Sequence, residues 1–205
     1  MKKEQIKKLI KKHKYIFIGE IHGTEEIPLR VFELLKETIK NKKVVFCLEI
    51  PKEANIELYK YLQGIIGKDK LFSSVYLKDA VNDSRINDSI LRMYEKLYVL
   101  GCTFKGLENY DNENPNERDK EMASIFMNII NENKAHKYVV YLGNLHTIDK
   151  SIKIGKFVVN PIKTYLPKEI IMDSLTIQFG NGSKREVKFD KKINTVYYSI
   201  LRENR

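Results

Sequence analysis

Two segments of this chain place ionisable side chains directly after short apolar runs. Lys14 to Thr24 reads Lys-Tyr-Ile-Phe-Ile-Gly-Glu-Ile-His-Gly-Thr, and Lys137 to His146 reads Lys-Tyr-Val-Val-Tyr-Leu-Gly-Asn-Leu-His. Two further runs, Val44 to Leu48 and Thr103 to Leu107, lead into Glu49 and Glu108. A carboxylate that orients an imidazole makes a general base, and two carboxylates with two imidazoles also suit a divalent metal ion. Glu20, His22, Glu49 and His146 are therefore candidate catalytic residues and, equally, a candidate metal-ligand set, and spacing alone leaves both open. Charged groups at buried strand ends cost stability unless they are paired, so their repeated placement points to a site.

A second tier, Arg118, Asp119, Asn144, Glu108 and Thr24, makes up the candidate substrate-binding residues. Arg118 is placed to anchor an anionic group or to hold Glu49 or Glu108 ionised, while Asp119 suits the start of a helix. Asn144 carries an amide that either donates to a substrate oxygen or shapes its loop. Thr24 either contacts substrate or caps the helix that follows. His13 and His136 fall at helix–strand junctions among lysines and read as surface residues.

These groups need elements to bring them together. Apolar runs too short for a helix and bounded by glycine read as strands buried on both faces of a parallel sheet, and such sheets bind ligands beyond the carboxyl ends of their strands. Strands are expected at Tyr15–Ile18, Val44–Leu48, Thr103–Leu107 and Tyr138–Leu142, with Glu20 and Glu49 on adjacent strands about 5 Å apart. Helical periodicity runs through 25–40, through 53–66 with Ile56, Tyr59, Leu62 and Ile66 inward, and through 85–100 with Asp83 or Ser84 as cap. Another helix opens at Pro115 and runs to Asn131. Residues 68–84 and the polar stretch 109–117 carry no readable pattern, and substrate determinants are expected there. The order β-α-β-α-α-β-α-β predicts right-handed crossovers. Beyond residue 150, strands are expected at Phe157–Val159, Ile170–Phe179 and Thr195–Leu201, with a turn at Gly180-Asn181-Gly182. The expectation is thus an α/β chain: a single three-layer α/β/α domain over 1–205, an N-terminal helix over 1–13, and a mixed or antiparallel C-terminal extension over 150–205.

The 205 residues carry 37 Lys and Arg against 27 acids, a net charge of +10. Only Lys2 to Lys14 is dense; the other lysines are dispersed, which argues against a nucleic-acid partner. Ile6, Leu9 and Ile10 make a weak membrane anchor, so a helix packed on the domain is expected. No segment approaches a membrane span or a signal peptide, and the expected location is cytoplasmic. Cys47 and Cys102 lack metal or redox spacing and read as buried thiols. Walker, dinucleotide-fingerprint, HExxH and nucleophile-elbow patterns are absent from the sequence.

Taken together, Phe17-Ile18-Gly19-Glu20-Ile21-His22-Gly23-Thr24, Val44–Glu49, Arg118-Asp119-Lys120-Glu121-Met122-Ala123 and Val139–His146 resemble the ordered blocks of the erythromycin-esterase/ChaN-like superfamily, and more distantly Tiki and TraB-type proteins. The resemblance implies a three-layer α/β/α fold with its site at one sheet edge. Its esterase branch implies His22 as general base, oriented by Glu20 or Glu49, with His146 and Arg118 binding substrate or stabilising negative charge. Its Tiki-like branch implies divalent-metal-dependent peptide hydrolysis, and its ChaN branch haem binding. The single residue between Glu20 and His22 matches the ChaN-like pattern, whereas His22-Gly23-Thr24 and Arg118-Asp119 match the esterases. The chain has about half the usual esterase length and lacks a lipobox, which weighs against both macrolide resistance and haem uptake. The functional expectation is a small cytoplasmic hydrolase that cleaves an ester, lactone or amide in a small molecule or peptide. The alternative is a non-catalytic haem- or metal-binding protein.

Overall fold

The computed structural model describes residues 1–110 and 115–201. In chain order its elements are α1 (Lys3–Lys12), β1 (Tyr15–Glu20), α2 (Glu26–Ile39), β2 (Val44–Pro51), α3 (Asn55–Leu62), α4 (Lys68–Phe72), α5 (Lys78–Asn82), α6 (Asp88–Val99), β3 (Cys102–Glu108), α7 (Pro115–Glu132), β4 (Lys137–Gly143), α8 (Asn144–Thr147), β5 (Ile152–Ile154), β6 (Phe157–Val159), α9 (Lys168–Met172), β7 (Ser174–Gly182), β8 (Glu186–Asp190) and β9 (Thr195–Leu201). Seven strands form one sheet in the order β3-β2-β4-β1-β7-β9-β8, parallel except for β8, while β5 and β6 make a separate antiparallel pair.

The sheet is the middle of three layers because its strands are apolar on both faces. Alternate residues point to opposite sides. Ile16, Ile18, Phe46, Leu48, Val139 and Tyr141 join the core shared with α1, α2 and α6. Tyr15, Phe17, Val45, Cys47, Tyr138 and Val140 join a second core with Met122 and Phe126 of α7. Parallel pairing aligns the carboxyl ends of β1 and β4, with Glu20 opposite Gly143. Gly19 permits α8 to fold back over β1, since a Cβ there would overlap the Thr147 hydroxyl and the Asn144 amide.

Several expectations change. Glu20 and Glu49 are not on adjacent strands: β4 lies between β1 and β2. Strand β2 runs on through Glu49 to Pro51, whose missing N–H does not stop it at the sheet's end. The helix expected over 53–66 is a 3-10 turn followed by α3, which ends before Gly64 at φ 72°, and Ile56 is 67% exposed. Residues 68–84 contain two short helices, α4 and α5. Asn87, rather than Asp83 or Ser84, caps α6 by accepting from the Ser89 and Ile90 amides, both at 3.0 Å. Ile170 to Phe179 is not one strand, because Pro167 opens α9 before β7 begins. Gly180 to Gly182 continues β7, and the chain returns through β8, whose Glu-Val-Lys-Phe-Asp alternation marks a half-buried edge strand. His13 is buried rather than a surface residue. No helix among the described residues is long and apolar enough to cross a membrane.

Candidate functional site

The carboxyl ends of β1, β2, β3 and β4 carry two carboxylate–imidazole pairs. In the first, Glu20 ends β1 and His22 follows two residues later, so a single turn lays the ring back on the carboxylate. His22 Nδ1 stands 2.5 Å from Glu20 Oε1, and the Tyr141 hydroxyl donates to Glu20 Oε2 at 3.1 Å. Glu20 is buried, whereas the His22 side chain keeps 32% of its surface. Burial pushes the Glu20 carboxyl upward from its ordinary range, with His22 and Tyr141 opposing. Burial also works against a charged His22, but the Glu20 hydrogen bond and the charges of Glu20, Glu49 and Asp83 outweigh it and raise its pKa above 6.5. In this coupled pair, then, the imidazole holds its proton more tightly than a free one.

The second pair sits on the opposite face of the sheet. Asp119 lies in the apolar stripe of α7 with Met122, Phe126 and Ile129, and is fully buried. A carboxylate in such a stripe requires a partner, and His146 of α8 supplies it, with Nδ1 at 2.9 Å from Asp119 Oδ2 and Nε2 at 3.4 Å from Glu49 Oε1. Burial disfavours the imidazolium of His146, yet the Asp119 hydrogen bond and the charge of Glu49 raise its pKa above 6.5.

Glu49 links the two halves. It accepts from the Gly143 amide at 2.6 Å and from Arg118 Nη2 at 2.6 Å. Burial alone would raise its pKa; His146, Arg118, Arg85 and the Gly143 amide reverse that and hold it below 4.5. A Cβ at residue 143 would come within 3.0 Å of His22 Nε2 and 3.5 Å of Glu49 Oε2, so the imidazole and the carboxylate meet over this glycine. A polar gap of about 10 Å³, the space of one water molecule, lies between Glu20 and Glu49.

Sequence reasoning missed two members of the site. Arg85 Nη1 donates to the Glu49 carbonyl at 3.2 Å and to Glu108 Oε2 at 3.0 Å, and Asp83 steers it by accepting from its Nε at 2.7 Å. It lies in the loop before α6, although the helical periodicity over 85–100 reads it as the first residue of that helix. Tyr141 pairs with Ile18 in register and thus faces the same side as Glu20; a tyrosine two residues before the end of an aliphatic strand was the available signal. Arg118 also binds Glu108, its Nε donating to Oε1 at 2.7 Å. Asn144 directs its amide nitrogen to the Phe179 carbonyl, tying α8 to β7. Thr24 does not cap α2: its hydroxyl donates to the Ile21 carbonyl at 3.0 Å.

The four groups expected as metal ligands are already engaged by protein partners. Glu20 is engaged by His22 and Tyr141, Glu49 by Gly143 and Arg118, and His146 by Asp119. Among the described residues no three His, Cys, Asp or Glu side chains converge in a geometry that fits a metal ion. A cleft of about 370 Å³ opens between Gly23, the residue after His22, and Phe72, Val81, Ser84, Ile86 and Asn87. The unreadable stretch 68–84 therefore builds its wall, whereas residues 111–114 of the other expected determinant lie outside the described residues. Cys47 and Cys102 are both buried; burial raises the Cys102 thiol to about 12 and Cys47 higher still, so neither is a ready nucleophile.

The fold has counterparts among solved structures. The type III effector HopBA1 matches with TM-score 0.68 and 13% identity over 98% of this chain and 94% of its own. ChaN of Campylobacter jejuni, solved with cofacial haem, matches with TM-score 0.52 and 14% identity over 95% of this chain and 91% of its own. The C-terminal region of Pasteurella multocida toxin, described as having a thiol-protease-like catalytic triad, matches with TM-score 0.56 and 13% identity; the match covers 88% of this chain but 25% of that one. At these identities the likeness shows the fold, including a ChaN-like one. No protein-family model matches the chain, and none of the curated proteins matches its sequence.

Proposed function

We propose that this chain is a hydrolase of ester, lactone or amide bonds, with His22 as general base. The observation that carries this reading is the 2.5 Å contact between His22 Nδ1 and buried Glu20, which leaves Nε2 of a partly exposed ring beside Gly143. A bound water gives its proton to His22 Nε2 while its oxygen bonds to the substrate carbonyl carbon, and the C=O pair moves to the oxygen. Arg118, the more exposed site cation, and protonated His146 supply positive charge toward that developing oxyanion. Collapse expels an alkoxide or amine, which recovers the proton from His22. The cleft lined by Phe72, Val81 and Ile86 receives the group flanking the scissile bond. The fold shared with an effector and with a toxin region described by its protease-like triad keeps peptide amides among the substrates to test. The esterase resemblance fits the same chemistry, and the burial of both cysteines argues against a thiol nucleophile.

The test is turnover of p-nitrophenyl acetate, a γ-lactone and a fluorogenic peptide mixture by the purified chain. His22→Ala should abolish turnover with an unchanged melting temperature; equal turnover by that variant would remove His22 from the mechanism. A Soret shift on titration with haem, lost in His22→Ala and seen without any turnover, would replace the hydrolase with the haem-binding alternative.

A further inference from the structure

The end of the sheet opposite the site has its own chemistry. Strands β2, β4 and β1 are neighbours whose first residues lie level, with Val44 opposite Lys137 and Tyr15 opposite Tyr138. Backbone bonds knit the segments that enter them: His136 N donates to the Lys43 carbonyl at 2.9 Å, and Tyr138 N to the Lys14 carbonyl at 3.0 Å. The turn before β9 joins this rim, since the Asn194 amide nitrogen lies 3.2 Å from His13 Nε2. Lys12 and Lys14 thus precede β1, Lys42 and Lys43 precede β2, and Lys191 and Lys192 precede β9, all exposed on one end of the sheet.

None of these six lysines has an ion-pair partner within 4.0 Å among the described residues, whereas Lys3, Lys7 and Lys36 on the flank do. The nearby acids are partly spent on backbone: Asp173 accepts from the Lys14 amide at 3.2 Å and Asp190 from the Lys192 amide at 2.9 Å. Two apolar side chains project from the same end, Met172 at 81% exposure just before β7 and Ile193 at 41% between the lysines and β9. The amphipathic helix α1 does not serve as an anchor itself, because Ile6 and Ile10 are fully buried against the sheet layer.

We infer that this rim is a docking surface for an anionic lipid bilayer. Lysine clusters are drawn to anionic headgroups as point charges, and exposed apolar tips add shallow insertion. The six basic residues include no arginine, the residue suited to bidentate phosphate recognition in nucleic acid. Six residues of β1 separate the rim from the site by about 20 Å, so docking leaves the cleft facing away from the bilayer. This holds whether or not the site is a hydrolase.

The experiment is vesicle co-sedimentation of the full chain with phosphatidylcholine, with and without phosphatidylserine, at low and high salt. Binding is expected only with phosphatidylserine and is lost at high salt. The variant Lys12→Glu/Lys14→Glu/Lys42→Glu/Lys43→Glu should bind at least ~100-fold more weakly, at about 1 kcal/mol per lysine, with an unchanged circular dichroism spectrum. Met172→Gln/Ile193→Gln, which keeps the charge, should bind several-fold more weakly. No binding at low salt, binding indifferent to phosphatidylserine, or full binding by the four-lysine variant would overturn the proposal. Tighter binding to duplex DNA than to vesicles, abolished by the same variant, would overturn it in favour of nucleic acid.

Discussion

The Glu20–His22 contact makes a specific demand on pH. A base must be neutral to accept a proton, and the Glu20 carboxylate, together with Glu49, raises the His22 pKa above 6.5. The rising limb of kcat/KM should therefore lie above pH 6.5 in the native chain. Glu20→Gln removes the charge but keeps the shape, so that limb should move to lower pH while kcat falls by about 10³-fold, in the range of a lost general-base partner. A Glu20→Gln profile that superimposes on the native one would detach Glu20 from His22. Asp119→Asn tests the other imidazole, which acts protonated: the falling limb at high pH, set by the raised pKa of His146, should move to lower pH and leave the His22 limb in place. Stopped-flow turnover across pH 5 to 9, roughly the span in which imidazoles titrate, reads both. Glu20, His22 and His146 were legible because each closely follows an apolar run. Arg85 was not, because it reads as an ordinary polar residue opening the helix expected over 85–100; only the folded chain shows it reaching Glu108 and Glu49.

At the scale of elements, legibility followed burial on two faces. β1, β2 and β4 are buried along their whole length, and their unbroken apolar runs identify them. Helices α2 and α7 are likewise readable from one apolar stripe. What the sequence concealed was pairing order, since a strand's partners depend on crossover geometry; β4 therefore lies between β1 and β2 where adjacency was expected. The C-terminal β8 was missed because an edge strand with polar alternates resembles a charged loop, although its period of two was present. Two substitutions test how elements hold the site. Gly143→Ala places a methyl 3.0 Å from His22 Nε2 at the end of β4; the ring must shift, and turnover should fall at least tenfold while the melting temperature changes little. Asn87→Ala removes the cap of α6, which forms one wall of the cleft, and should cost about 1 kcal/mol in a urea melt. An unchanged midpoint for Asn87→Ala would show that tertiary packing, rather than the cap, starts that helix.

Across the whole molecule, the site carboxylates pull stability in opposite directions. Glu49 has a folded pKa below 4.5, so the stability it contributes is fully present above that pH and is lost as pH falls through the folded value. Glu20 has a folded pKa above 4.5; its contribution is present below 4.5 and is lost as pH rises through the folded value. At neutral pH one carboxylate therefore binds β2, β4, α7 and α8 together, while the other is held ionisable against its burial for the sake of His22. Glu49→Gln leaves the cations Arg118 and Arg85 with one carboxylate fewer inside the fold and should lower stability by about 3 kcal/mol at pH 7. The deficit should shrink as pH falls below 4.5, because the native Glu49 then loses its charge as well. Glu20→Gln should be at least as stable as the native chain at pH 7, and should lose that advantage below pH 4.5. Urea denaturation of the three chains at neutral and acidic pH measures both trends. If Glu20→Gln and Glu49→Gln destabilise alike at pH 7, Glu20 is an ordinary structural carboxylate, and the buried pair is not one in which stability is given up for a basic imidazole.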